Sequence, residues 1–74
     1  MNRFEAVLYR NVIEGIYAER KLNGDPDILA DDDPKFLKAV IRQGKNAARL
    51  LAERGRQDLV EEARDYATRT QKTD

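Results

Sequence analysis

Cysteine, histidine, tryptophan and serine are all missing from these 74 residues. Without cysteine no disulfide framework can form, and without cysteine or histidine no thiolate or imidazole zinc site can form either. With serine absent as well, every Ser–His or Cys–His catalytic arrangement is excluded. Only carboxylates, lysines and tyrosines remain for chemistry, and no pair of them has catalytic spacing, so the chain reads as a non-enzyme needing no cofactor. Long apolar runs are missing too. The longest, residues 6–9, falls far short of the roughly 20 residues of a membrane span. Arg3 and Glu5 interrupt the N-terminal stretch, which does not read as a secretory signal. An excess of either charge is also lacking: 14 basic groups balance 14 acidic ones, so no global field draws the chain to nucleic acid or lipid. These absences leave a soluble cytoplasmic protein with no membrane role as the expectation.

What is present suits amphipathic helices. Charged residues supply 38% and hydrophobic residues 41% of a chain long enough for one small core. Phe4, Leu8, Val12 and Ile16 recur at helical spacing, with Tyr9, Ile13 and Tyr17 in a second row beside them. The spacing predicts a first helix over residues 2–22. Turn residues follow, and Pro26 pushes Asp25 out of helical geometry. Asp33 then stands as an N-cap, with Pro34 at the first helical position. A second helix is expected over 34–54, stopped by Gly55 as a left-handed cap. A third is expected over 57–70, burying Leu59, Val60, Ala63, Tyr66 and Ala67, with an acidic linker at 23–33 and a frayed tail at 71–74. The expectation is a single small all-α domain over residues 1–74, a long first helix followed by a helical hairpin.

Two helix faces bear on assembly. On the second helix Leu37, Val40, Ile41, Gly44, Ala48, Leu51 and Ala52 share one side. A glycine inside a helix costs about 1 kcal/mol against alanine, so Gly44 and Gly15 need a reason. Either two backbones cross closely there, or the gap leaves room for a ligand. The first helix is apolar around more than half its circumference. A strip left uncovered on so small a protein marks a partner surface. The alternative is a core that wraps the helix completely, using Phe36, Leu50 and Tyr66. The first of these readings assigns Tyr9, Ile13 and Tyr17 to an oligomer or partner interface, a symmetric dimer being the simplest assembly.

Charge is segregated along the chain. Residues 23–33 hold five aspartates and no base. Residues 34–56 hold Lys35, Lys38, Arg42, Lys45, Arg49, Arg54 and Arg56 against Glu53 alone, a local charge of +6. Lys38, Arg42, Lys45 and Arg49 line one edge of the second helix, about one cation per turn, the geometry that tracks an anionic partner. A solvated face opposite the core explains the same pattern. So does pairing with the acidic linker of this chain or a neighbour.

Other motifs fail on spacing. An EF-hand loop begun at Asn23 or Asp25 has no glycine at its sixth position and ends at Pro34 or Phe36. Glu62 and Asp65 share a helical face but lack a second carboxylate motif to hold magnesium with them. A helix-turn-helix centred on Gly55 would present Asp58, Glu61, Glu62 and Asp65 to phosphates. Tyr9, Tyr17, Arg10 and Arg20 lie within a few turns and have the chemistry to clamp a base. The function expected from all this is a small non-catalytic binding or regulatory protein that self-associates and occupies the surface of a macromolecular partner. The competing function is nucleic-acid or phosphate-ligand binding on the basic face of the second helix.

Overall fold

A computed structural model describes residues 1–28 and 33–70 of the chain. They form three helices and, among the described residues, no strand: α1 is Arg3–Leu22, α2 is Pro34–Glu53 and α3 is Gln57–Arg69. The chain is therefore a small all-α protein. The acidic residues Asp31 and Asp32 and the tail expected to fray lie outside the described residues.

Local chemistry sets each helix end. Asn2 and Glu5 make a reciprocal capping box on α1: the Glu5 amide donates to Asn2 Oδ1 at 2.8 Å and the Asn2 amide to Glu5 Oε1 at 3.2 Å. Asp33 Oδ1 accepts the Lys35 amide at 3.0 Å and Pro34 opens α2, as expected from sequence. Gly55 has φ of +76°, and it closes α2 with paired bonds from Gly55 N to Ala52 O and from Arg56 N to Leu51 O. Gly24 ends α1 in the same way at φ of +85°. Such conformations are strained for residues carrying a Cβ.

Helix α2 packs along α1, and α3 leans on α1 more than on α2. Leu8, Val12, Ala47, Leu51, Leu59, Val60 and Ala63 form the main core, and Tyr17, Ile28 and Ala67 a second cluster. Where α1 crosses α2, Gly15 and Gly44 meet. A Cβ on Gly44 would stand 2.9 Å from the Asn11 carbonyl oxygen and 3.0 Å from Gly15 Cα. The glycines thus serve a close crossing.

The buried stripe of α2 is rotated slightly from the expected one. Ala47 is buried and Ala52 exposed, because α1 covers the line from Leu37 through Gly44 to Leu51. Tyr66 was expected inside with the apolar face of α3, yet it is 47% exposed. Phe4 heads the first row of α1 but lies beyond the end of the core, 51% exposed under the Arg54 guanidinium, which sits 5.0 Å from its ring centre.

Candidate anionic-partner interface

The four cations singled out by spacing fall together. Lys38, Arg42, Lys45 and Arg49 are all exposed on α2. At 1.5 Å rise per residue the row is about 16 Å long. None of the four joins an ion pair among the described residues, and the Arg49 guanidinium donates only to its neighbour Asn46 Oδ1. Four other arginines are engaged with carboxylates, whereas Arg3, Arg10 and Arg64 join no ion pair among the described residues. Arg20 Nε lies 2.7 Å from Asp25 Oδ2. Arg56 reaches Glu5 Oε1 and Asp58 Oδ1, each at 3.1 Å. Arg54 lies 3.6 Å from Glu5 Oε2, and Arg69 pairs with Asp65 at 2.8 Å.

Tyr9, Ile13 and Tyr17 are placed differently from the expectation of a spare strip. Tyr17 is 6% exposed and packs with Ile28 and Ala67. Ile13 and Tyr9 are half-buried against the core that α3 completes. The two other helices bury Leu8, Val12 and Tyr17 of α1 and half-bury Tyr9, Ile13 and Ile16. Ala47, Leu50 and Leu51 of α2 and Leu59, Val60, Ala63 and Ala67 of α3 pack in the cores that take in these rows, with Phe36 and Tyr66 remaining outside. Burial, reinforced by the Glu62 carboxylate, pushes the Tyr9 phenol above its usual range. Burial likewise raises Tyr17, against a lowering hydrogen bond with Thr70.

The tyrosine–arginine clamp does not assemble either. Arg20 Nη1 donates to the carbonyls of Ala67 at 2.7 Å and Thr70 at 2.6 Å, closing the C-terminal end of α3, while Arg10 stays exposed on α1. Sequence reasoning missed Arg20 in this role, since its partners lie 47 and 50 positions away. It also missed Glu5, which gathers Arg54 and Arg56 onto the start of α1. The Asn2–Glu5 spacing carried a legible signal for the capping box.

Two grooves flank the α1–α2 crossing. One, of about 230 Å³, lies beside Ile28 and has Phe36 on its rim. The other, of about 100 Å³, lies over Gly15 and Gly44, with Lys45 of α2, Arg64 of α3 and Glu19 of α1 around it. No group of three metal-ligating side chains occurs among the described residues, and none of the described helices is long and apolar enough to cross a membrane. No protein-family model, curated protein or solved structure matches this chain.

Proposed function

We propose that this chain is a non-catalytic binding protein that docks an anionic macromolecular partner on the exposed face of α2 and acts by occupying that partner's surface. The observation that carries the reading is the unpaired row itself: Lys38, Arg42, Lys45 and Arg49 face solvent without a carboxylate among the described residues, while Arg20, Arg54, Arg56 and Arg69 each have one. The row does not help the helix. Like charges at four-residue spacing, as in Lys38–Arg42 and Lys45–Arg49, destabilise a helix by about 0.2–0.5 kcal/mol per pair. An anionic surface laid along α2 removes that repulsion and gains one charge contact per turn.

The test compares wild type with a Lys45→Glu, Arg49→Glu double variant, using a labelled acidic peptide and a single-stranded oligonucleotide as probes. Binding should fall steeply between about 50 and about 300 mM salt and drop at least tenfold in the variant. Equal binding by both proteins would remove the basic face from the function.

Self-association is a second reading, favoured by the exposed apolar side chains of Phe36 on α2 and Val7 on α1, 55% and 53% exposed respectively. Light-scattering mass after size exclusion tests it. A stable dimer should persist at both salts, and a monomer at 8.5 kDa would dismiss it.

A further inference from the structure

Beside the close crossing of α1 and α2 at Gly15 and Gly44 lies a groove of about 100 Å³ walled by Val12, Ile16, Ile41 and Ala48. Its uncharged lining is aliphatic, with no aromatic ring among the described residues that line it. A closed apolar cavity of about 150 Å³ holds a benzene molecule, so this smaller, open groove matches one branched aliphatic side chain. Two cations from different helices stand at its rim, Lys45 on α2 and Arg64 on α3, both exposed, with Glu19 of α1 as the single anion. Lys45 also belongs to the basic row of α2, so groove and row form one continuous surface.

We propose that this groove seats a leucine- or isoleucine-sized side chain of an acidic protein segment, whose flanking carboxylates meet Lys45 and Arg64. The inference rests on the anionic-partner reading of α2 and adds the class of partner to it. Charge complementarity selects an acidic occupant. The aliphatic lining selects protein over nucleic acid, because single-stranded nucleic acid gains affinity from bases stacked on aromatic side chains and offers no aliphatic anchor to a narrow groove. The exposed aromatic Tyr66 does not line this groove, and Phe36 stands on the other one. Glu19 gives the rim a polarity, disfavouring carboxylates on the α1 side and steering them toward α2 and α3.

The experiment uses fluorescence anisotropy with three labelled probes: an acidic peptide with one central leucine, the same peptide with asparagine in place of leucine, and a single-stranded oligonucleotide. The full chain is compared with Arg64→Glu, which lies outside the α2 row, and with Ala48→Leu, which fills the groove. Circular dichroism confirms that each is helical. The leucine peptide should bind the full chain about tenfold tighter than its asparagine counterpart, a difference of about 1.4 kcal/mol. Ala48→Leu should erase that preference while leaving salt-dependent binding, and Arg64→Glu should weaken both peptides. Equal affinity for the two peptides would overturn the groove inference and leave the α2 reading standing. Binding of the oligonucleotide alone would do the same. If no probe binds, both readings fall.

Discussion

Gly15 and Gly44 face each other across the α1–α2 crossing with no room for a methyl group on either. A Cβ on Gly15 would lie 3.0 Å from Gly44 Cα and 3.3 Å from the Val40 carbonyl oxygen, and one on Gly44 would come closer still to Asn11 O. The atoms met are backbone, so relief requires the helices to move apart. Helix propensity alone predicts that Gly44→Ala stabilises the protein by about 1 kcal/mol. Overpacking of this kind costs about 1–3 kcal/mol, and here the whole interhelical contact shares it. The net expectation is a loss, with the melting temperature lowered by several degrees. A thermal melt decides by sign, since an unchanged or raised midpoint would mean that the crossing yields without cost.

Arg20 ties three parts of the chain together. Its guanidinium meets Asp25 in the turn after α1 and two carbonyls at the end of α3. Each is a charge-assisted bond in a part-buried setting. Arg20→Met keeps the aliphatic stem and removes the donors, so the expected loss is about 2 kcal/mol. Faster amide exchange should appear first in the last turn of α3. Arg20→Lys should recover little, because an ammonium cannot reproduce the planar fork. Wild-type stability in the lysine variant would show that charge alone suffices there.

Acid should weaken the fold through a small set of carboxylates. The Asn2 amide, with Arg56 and Arg54 behind it, holds Glu5 below its ordinary value. The Asp27 amide and then Arg20 do the same for Asp25, and the Arg56 guanidinium for Asp58. A lowered folded-state pKa means that the unfolded chain binds protons first as pH falls. The stabilisation is therefore complete above the unfolded carboxylate range, near pH 4, and is lost as pH drops through the folded values. Stability should be nearly flat around neutrality and fall below about pH 5. Glu5→Gln should be less stable than wild type at neutral pH, with the two curves converging in acid. Urea midpoints at several pH values test this, and parallel curves would exclude Glu5 from the acid limb.

The parts of the structure legible in the sequence were those set by neighbours in the chain. Asp33 with Pro34 marked the start of α2, Gly55 marked its end, and two mid-helix glycines demanded a reason, either a close crossing or room for a ligand, of which the structure shows the crossing. The basic row was legible too, since helical spacing alone places Lys38, Arg42, Lys45 and Arg49 on one edge. Contacts across about fifty positions were not. Nothing local tells Arg20 that the end of α3 will lie beside it, or brings Arg56 to Glu5. Periodicity showed two apolar rows on α1, but not whether α2 and α3 would cover both or leave one as a partner surface. The groove beside Lys45 was equally hidden, because it exists only where three helices meet and Arg64 reaches its rim from α3.

Tyr17 separates a core role from an interface role by measurement. Its ring is enclosed with Ile28 from the turn after α1 and with Ala67 of α3, and burial holds its phenol in the neutral form beyond the ordinary range. If that enclosure is its function, Tyr17→Ala opens a cavity inside one chain. Aromatic-to-alanine changes in cores cost about 3–5 kcal/mol, a large share of what a domain of this size possesses. The loss should then be independent of protein concentration, and Tyr17→Phe should retain most of the stability by keeping the ring. If Tyr17 instead formed an interface between copies, the variant would shift the mass measured by light scattering and leave dilute-solution stability almost untouched. Urea unfolding at two protein concentrations distinguishes the cases, because only an interface residue makes the midpoint move with concentration. The enclosure by Ile28 and Ala67 predicts superimposable curves and a far lower midpoint for the alanine variant.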